Sequence, residues 1–272
     1  MSTPPPPAPP LDAFSPAQIA LLVESAGVRK AALPVLQTLM LGVLAGSFIA
    51  FGAMLFTVVI TGSELGYGPT RLLGGLAFSM GLILVVVGGA ELFTGNNLIV
   101  MAWADRRIGT LALLRNWTLV YVANFAGAAA NVVLMHVTGL LAPGSGSSAA
   151  TAAAIAAAKV ELSFVEAFTR GVLCNVLVCL ALWLSYAARR VSGKILAIAL
   201  PVAAFIALGF EHSVANMYLI PMGMLAAGQD VDAVALVANL VPVTLGNVVG
   251  GAVLVALVYW VIYLRGKGEA VR

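Results

Sequence analysis

The chain has 272 residues, of which 61% are hydrophobic and only 9% are charged, and its mean hydropathy is +1.05. Soluble domains carry about a quarter charged residues, so this composition excludes a water-soluble protein and indicates a bilayer as the solvent. The formal charge of +3 is small, so the information in the charges lies in where they stand.

The first predicted element follows a proline-rich tail over residues 1–10, which has no basic segment leading into an apolar core and is therefore not a secretory signal. Ser15-Pro16-Ala17-Gln18 has the form of a helix start, with a capping Ser, Pro at the first helical position and Gln three residues after the cap. We predict a short amphipathic helix on the membrane surface, the alternative being a frayed tail. Its apolar face would comprise Ile19, Leu22, Val23 and Ala26.

Six apolar runs are long enough to cross a bilayer, which takes about 20 residues. They cover residues 37–60, 72–104, 115–140, 163–187, 194–227 and 233–264. The second and the fifth run are too long for one span and are interrupted by polar clusters. Eleven basic residues flank the termini and the second and fourth connections, against three on the opposite side, which predicts cytoplasmic termini.

Three sequence patterns recur between the halves of the chain. The pairs are Gly42-Val43-Leu44 with Gly171-Val172-Leu173, Gly89-x-Glu91-x-x-x-x-Asn96 with Gly209-x-Glu211-x-x-x-x-Asn216, and Asn124-x-x-Gly127 with Asn247-x-x-Gly250. Each half would hold three spans, and an odd number of spans forces the two copies to be upside down relative to each other. The sequence therefore predicts two inverted repeats, an arrangement found in many channels and transporters.

The second and fifth spans are interrupted at the same place in each repeat. Lipid cannot satisfy exposed backbone groups, so each break must line a cavity or be buried in protein. Half-helix ends at such breaks present N–H groups and partial positive charge, which suit an anion. The alternative is a kinked helix packed on its neighbours. Thr94, in the first break, can hydrogen-bond an anion or cap a helix end.

His212 lies in the second break beside Glu211. Because imidazole titrates near neutrality, it can attract an anion as a cation or hand over a proton so that the acid crosses neutral. The alternative is a hydrogen-bonded core histidine. Lys159, ahead of the fourth span, is either a solvated charge or an electrostatic attractor for anions. Cys174 and Cys179 fall in one apolar run and are interpreted as packing residues, so no disulfide is predicted.

These segments resemble the formate/nitrite transporter family over about residues 15–265. The segments that carry the resemblance are Glu91-Leu92-Phe93-Thr94-Gly95-Asn96-Asn97, Gly209-Phe210-Glu211-His212-Ser213-Val214-Ala215-Asn216-Met217 and Pro242-Val243-Thr244-Leu245-Gly246-Asn247. The resemblance implies an all-α membrane protein with an aquaporin-like fold, six transmembrane helices in two inverted three-helix repeats, and breaks in spans two and five. It also implies a homopentamer with one pore in each protomer.

The sequence is thus predicted to consist of a cytoplasmic proline-rich tail and amphipathic helix (1–36), a six-span channel domain (37–265) and a cytoplasmic tail (266–272). The resemblance implies that the first break is a mobile loop, with Thr94 facing the proton-exchange residue His212. Glu211 and Asn216 would support that histidine, and Lys159 and Asn175 would attract or hold the anion at the outer vestibule. The implied pore residues are thus His212, Thr94, Lys159, Asn175, Glu211, Asn216 and Asn247, and the implied apolar constrictions are Phe78, Leu82, Val178 and Phe205.

The function implied by the resemblance is conduction of formate or nitrite with protons, in a bacterial inner membrane. It requires no enzyme activity, cofactor, metal or nucleic acid, and the partners would be lipid and other copies of the chain. The segment from Tyr259 to Arg265 resembles formate channels. Glu91 with Gly95 is closer to nitrite channels, since formate channels tend to carry Asp and Ser there. Formate leads, and hydrosulfide, acetate and lactate stay open.

The same residues suggest three rival functions. A haem-bearing membrane anchor of a respiratory enzyme would need two facing histidines, and the chain has only His136 and His212. An intramembrane protease using His212 and Ser213 is disfavoured, because neighbours on one turn cannot readily form a nucleophile–base pair in line with a substrate. A proton-coupled symporter would use the same histidine as a passive channel, so that alternative stays open.

Overall fold

The computed structural model describes residues 13–266, which are helical throughout apart from connecting segments and one isolated bridge between Ala13 and Ala188. The predicted proline-rich tail and most of the predicted C-terminal tail lie outside these residues. The helices, in chain order, are α1 (Pro16–Ala31), α2 (Val35–Ile60), α3 (Tyr67–Gly88), a 3-10 helix (Gly95–Ile99), α4 (Val100–Ala104), α5 (Thr110–Val137), α6 (Ser147–Val160), α7 (Phe164–Ala187), α8 (Val191–Ala207), α9 (Ser213–Ala226), α10 (Ala233–Val248), a π-helix (Val249–Leu257) and α11 (Val258–Tyr263).

Five helical segments of residues 13–266 are long and apolar enough to cross a membrane. They are α2, α3, α5, α7 and the continuous segment Ala233–Tyr263 formed by α10, the π-helix and α11. The predicted fifth span corresponds instead to two shorter apolar helices, α8 and α9, so the count of six spans stays a prediction. Helix α3 ends at Gly88 and helical structure resumes at Gly95, and the segment 208–212 separates α8 from α9.

Helix α1 begins where the capping pattern predicts. The Ser15 N–H donates to Gln18 Oε1 over 2.9 Å, and the Gln18 N–H donates back to Ser15 Oγ over 3.4 Å. The helix packs against the 3-10 helix and α4, and a Cβ on Gly27 would stand 3.2 Å from Ala102 Cβ. The apolar face of α1 is thus covered by protein, and a position of this helix on the membrane surface stays a prediction.

Small residues let the long helices approach each other through their backbones. A Cβ on Gly127 of α5 would collide with the carbonyl oxygen of Val43 in α2. The same collision would occur between Gly250 of the π-helix and the carbonyl oxygen of Val172 in α7. These contacts join equivalent positions of the two predicted repeats, so each repeat is held together by the same close crossing.

Helix α6, over the alanine-rich stretch before the fourth span, was not predicted. It packs on α9, where a Cβ on Gly223 would collide with Ala156. With α6 in place, the order α6–α7–α8–break–α9–α10 repeats the order α1–α2–α3–break–α4–α5, with the 3-10 helix preceding α4. Each half of the described chain therefore opens with a short helix ahead of its long helices.

Candidate functional site

The two breaks meet in the interior of the protein. Thr94 Oγ1 lies 2.9 Å from His212 Nε2, and the exposed fractions of the two residues are 0% and 3%. The segments 89–94 and 208–212 therefore form one site, although Thr94 and His212 are 118 residues apart in the chain. In the structure, Thr94 faces His212, as the resemblance implies.

One asparagine from a neighbouring helix holds each break in place. Asn124 accepts the Phe93 N–H over 2.9 Å and donates to the carbonyl oxygens of Glu91 (2.9 Å) and Gly42 (2.8 Å). These bonds satisfy backbone groups that the interrupted helix leaves unpaired, which is the condition for irregular backbone at membrane depth.

Asn247 makes the same three bonds in the second repeat. It accepts the Ser213 N–H over 2.9 Å and donates to the carbonyl oxygens of Glu211 (3.0 Å) and Gly171 (2.8 Å). Its side chain is therefore engaged with backbone groups. We interpret Asn247, predicted as a pore residue, as a support of the second break.

Glu211 belongs to a buried polar network that contains Lys159. Lys159 Nζ lies 3.0 Å from both carboxylate oxygens of Glu211, and Asn216 donates to Glu211 Oε2 over 2.6 Å. Asn216 also donates to Asn239 Oδ1 over 2.8 Å, and Asn239 donates to the Lys159 carbonyl oxygen over 2.8 Å. Only 14% of the Lys159 side chain is exposed, so the alternative of a solvated charge is wrong.

Glu91 has a network of the same form in the first repeat. Lys30 Nζ lies 2.7 Å from Glu91 Oε1, and Asn96 donates to Glu91 Oε2 over 2.7 Å. Asn96 also donates to Asn116 Oδ1 over 2.9 Å, and Asn116 donates to the Lys30 carbonyl oxygen over 3.2 Å. Sequence reasoning used Lys30 only as a charge flanking the first span, and it gave Asn116 and Asn239 no role in the site.

The hydrogen bonds of His212 define its tautomer. His212 is the N-cap of α9, and its Nδ1 accepts the Ala215 N–H over 3.0 Å. A neutral imidazole that accepts at Nδ1 carries its hydrogen on Nε2. The ring therefore presents an N–H donor toward Thr94, and it can become a cation only by releasing the Ala215 amide.

The four residues of the implied constrictions are all buried, with exposed fractions of 1–2%. The rings of Phe78 and Phe205 meet edge to face with centroids 5.7 Å apart, and Phe205 stacks on His212 at 6.0 Å. The structure thus places an apolar layer directly against the histidine. Leu82 lines a neighbouring cavity, and Val178 lies on α7 in the same apolar core.

Asn175 is fully buried and lies against the first break. Its Nδ2 donates to the carbonyl oxygens of Thr94 (3.2 Å) and Asn247 (2.6 Å), whereas its Oδ1 has no hydrogen-bond partner within residues 13–266. Ser213 Oγ is likewise buried without a partner among these residues. Buried polar atoms are normally paired, so these two oxygens are free to bind water or a polar substrate.

A cavity of about 290 Å³ opens beside the first break. It is lined by α1, the end of α3, the break itself, and residues of α7 and α8. Its charged lining residues are Lys30, Glu91 and Lys194. The lining therefore has a net positive charge, which favours an anion over a cation.

The geometry argues against two of the rival functions, the protease and the haem-bearing anchor. Both ring nitrogens of His212 are bonded elsewhere and Ser213 Oγ has no partner in the described chain, so no nucleophile–base pair exists between them. His136 is exposed on the last turn of α5 whereas His212 is buried, which does not suit axial ligation of one haem. Within residues 13–266, no group of three or more His, Cys, Asp or Glu residues is placed to hold a metal.

Known proteins resemble this chain over most of its length. A family model described as formate/nitrite transporter matches residues 17–261. The formate channel FocA of Escherichia coli (strain K12) is 42% identical, over 94% of this chain and 96% of that protein. The structure of a pentameric formate channel with formate bound is 39% identical, with a TM-score of 0.74 over 85% of this chain and 98% of the other. An ion channel of the FNT family gives a TM-score of 0.81 at 29% identity, over 90% and 98% of the two chains.

Proposed function

Since this chain belongs to the formate/nitrite transporter family, we propose that it is a multi-pass channel for formate and similar small monovalent anions, with proton exchange at His212. The names of the relatives support formate as the first substrate. The assembly would be a homopentamer, as in the pentameric formate channel with formate bound. The channel would act in the bacterial inner membrane with both termini in the cytoplasm, and it would catalyse no covalent reaction.

The observation that carries the proposal is the contact between Thr94 and His212 where the two breaks meet. A formate ion at this contact can accept hydrogen bonds from the Thr94 hydroxyl and from His212 Nε2–H. The apolar layer of Phe78 and Phe205 adjoins the same point. A charged ion in an apolar layer is very costly, so protonation of the ion at His212 would lower the barrier.

The proton reaches formate from an imidazolium. The resting ring is neutral because Nδ1 accepts the Ala215 amide. Uptake of a second proton at Nδ1 requires that bond to break, after which Nε2 can protonate formate and the neutral ring keeps its hydrogen on Nδ1. The resting tautomer returns when Nδ1 gives its proton to water and Nε2 takes one up, so that Nδ1 can again accept the Ala215 amide. Each formic acid formed consumes one proton, which His212 takes from the water on the outer side. Formate uptake is therefore expected to rise as the external pH falls.

The test is uptake of labelled formate and of nitrite into proteoliposomes at acid and neutral external pH. The wild-type protein is expected to take up formate preferentially, and faster at acid pH. His212→Asn should abolish the pH dependence while it leaves an anion leak. His136→Asn is the matched control, because it removes the other histidine from an exposed position. A normal pH profile in His212→Asn would rule out proton exchange at this residue.

Nitrite is the second candidate, on the strength of Glu91 and Gly95. A Cβ on Gly95 would stand 2.7 Å from Leu182 Cδ1, so the side chain that formate channels tend to carry there would need Leu182 to move. Preferential nitrite flux in the same assay would assign this substrate to the chain and leave the proposed site in place.

A further inference from the structure

A second cavity, of about 640 Å³, lies apart from the site at the two breaks. It is formed by the connection between α4 and α5 together with the last turns of the final span, and it shares no lining residue with the cavity beside the first break. The residues that matter for its chemistry are Trp103, Arg106, Arg107, Gly109, Thr110 and Trp260.

The cavity lies where two apolar spans end, which is the level expected for a membrane boundary. Helix α5 begins its apolar span at Thr110, and the last span ends at Tyr263. The indole N–H of Trp103 donates to Thr110 Oγ1 over 3.0 Å, and that of Trp260 donates to Asp105 Oδ1 over 3.2 Å. Tryptophan is enriched at the level of lipid headgroups, and both indoles are fixed in orientation here.

Arg106 has a backbone conformation that its side chain does not favour. Its φ of 59° is the only positive φ outside glycine in residues 13–266, where nine glycines have one. The Arg106 N–H donates to the Trp103 carbonyl oxygen, and the Arg107 N–H donates to that of Ala102. This is the pattern that ends a helix with a left-handed residue, a position usually held by glycine.

Packing within the described chain does not account for an arginine at this position. The Arg106 side chain is exposed and makes no hydrogen bond or ion pair with residues 13–266. An unfavourable backbone conformation that persists is a mark of a functional site. The chemistry of Arg106, a planar guanidinium with no partner, suits a phosphate group.

Two further features favour an anion in this cavity. Arg107 adds a second, exposed cation, which also forms a long ion pair with Glu24, Nη1 to Oε1 3.7 Å. The N-cap of α5 is Gly109, which offers no side-chain cap to the N–H groups of the first turn. The remaining wall includes the apolar side chains of Ile108 and Leu257.

We propose that this cavity binds an anionic membrane phospholipid. The two arginines and the start of α5 hold the headgroup phosphate, and the tryptophans with Ile108 and Leu257 contact the glycerol and the upper acyl chains. A basic pocket between transmembrane helices at a membrane boundary is the kind of site that takes such headgroups. The apolar wall selects a lipid over free phosphate. This site is independent of the substrate that crosses the pore.

The test is native mass spectrometry of the delipidated full-length protein titrated with phosphatidylglycerol and, separately, with phosphatidylcholine. The wild-type protein should retain phosphatidylglycerol in preference. Arg106→Gly should weaken that retention by about fivefold, the value of one arginine near a membrane surface. Its unfolding temperature should stay equal or rise, because glycine suits the left-handed position. Arg106→Gln keeps a long side chain but removes the charge, so its retention of phosphatidylglycerol should weaken equally. If Arg106→Gly does not fold, the glutamine variant provides the test.

The control is Arg29→Gln, which removes one exposed arginine on α1 outside the cavity. Equal loss of lipid in this control would mean diffuse charge attraction and would overturn the proposal. Inorganic phosphate that displaces bound phosphatidylglycerol and raises the unfolding temperature as strongly would assign the site to a free anion instead. A wild-type protein that shows no preference for the anionic lipid would also overturn it, as expected if a neighbouring copy covers the cavity.

Discussion

At His212, both ring nitrogens have partners, the Ala215 amide at Nδ1 and the Thr94 hydroxyl at Nε2. Because Nε2 carries the hydrogen, Thr94 accepts from the ring and its own hydroxyl hydrogen is free to point at a substrate. The Thr94 hydroxyl therefore extends the donor surface of the histidine. Sequence showed that each residue lay in a break, and the resemblance supplied their facing. The tautomer of His212 follows from its hydrogen-bond distances to Ala215 and Thr94, which the sequence does not give.

Substitutions at Thr94 test this arrangement. Thr94→Val keeps the shape of the side chain and removes the hydroxyl, so formate flux should fall by up to about tenfold, the value of one hydrogen bond. Thr94→Ser keeps the hydroxyl and should stay within about twofold of the wild type. Stopped-flow measurement of flux into proteoliposomes, at equal protein content, provides the comparison. Equal flux in the two variants would show that the Thr94 hydroxyl does not contact the substrate.

Among the elements, α1 packs on α4 and carries a buried carboxyl group, Glu24, close to Asp105 and Arg107 just after α4. Glu24 is 3% exposed, and its Oε1 has no hydrogen-bond partner within residues 13–266. Burial raises the pKa of Glu24 to about 7, the neighbouring Asp105 adds to the rise, and Arg107 opposes it. The protonation state of Glu24 should therefore affect how stably α1 packs against α4.

The docking of α1 should depend on pH between about 4.5, the ordinary pKa of the carboxyl group, and about 7. In this window the docked helix holds the Glu24 proton and the undocked helix does not, so docking weakens as the pH rises and is constant outside the window. Hydrogen exchange of the α1 amides, corrected for intrinsic rates, should show more protection at pH 5 than at pH 8. Glu24→Gln should remove the difference, and amides of α6 serve as the internal control. Equal protection of wild-type α1 at the two pH values would contradict this account.

Sequence predicted elements well where the signal is local. The capping box set the first residue of α1, and apolar runs located the five helical segments of residues 13–266 that are long enough to span a membrane. Sequence-based prediction failed where an element is defined by its packing against another helix. The alanine stretch of α6 has no distinct apolar face to recognise, and its 14 residues are too short for a span. Its place in the fold depends on packing against α9, which approaches it closely at Gly223. The π-helix Val249–Leu257 was missed for the same reason, because Gly251 in it packs closely against Asn175 and Cys179.

Across the whole molecule, the two halves build the same polar network twice. Lys30 forms an ion pair with Glu91, and Lys159 forms the equivalent ion pair with Glu211. Lys30 and Lys159 are as far apart along the sequence as Gly42 and Gly171. The sequence echoes identified the glutamates but not the lysines, since a basic residue ahead of a span is already explained by membrane orientation. Because membrane orientation already explained these basic residues, their ion pairs with the glutamates were not inferred. In the predicted inverted repeat, the two lysines would lie toward opposite sides of the membrane.

This symmetry predicts paired, side-specific effects. Lys30→Met should raise the apparent substrate constant for formate entering from the face that α1 covers, and Lys159→Met should raise it for entry from the opposite face. Each change should leave the other direction nearly unaltered, because each lysine attracts the anion only at its own end. Flux into right-side-out and inside-out vesicles measures the two directions separately. Equal effects of one substitution on both directions would contradict the assignment.

Stability has to be separated from attraction in these variants. Removing either lysine leaves a buried carboxylate unpaired, which costs about 3 kcal/mol of folding free energy. Adding Glu91→Gln to Lys30→Met, or Glu211→Gln to Lys159→Met, removes the stranded charge and should restore the unfolding temperature. The raised substrate constant should persist in both double variants, because the cation is still missing. If the constant recovers together with the unfolding temperature, the lysines serve the fold alone and the anion is drawn in by other charges, of which Lys194 in the cavity beside the first break is the first to substitute.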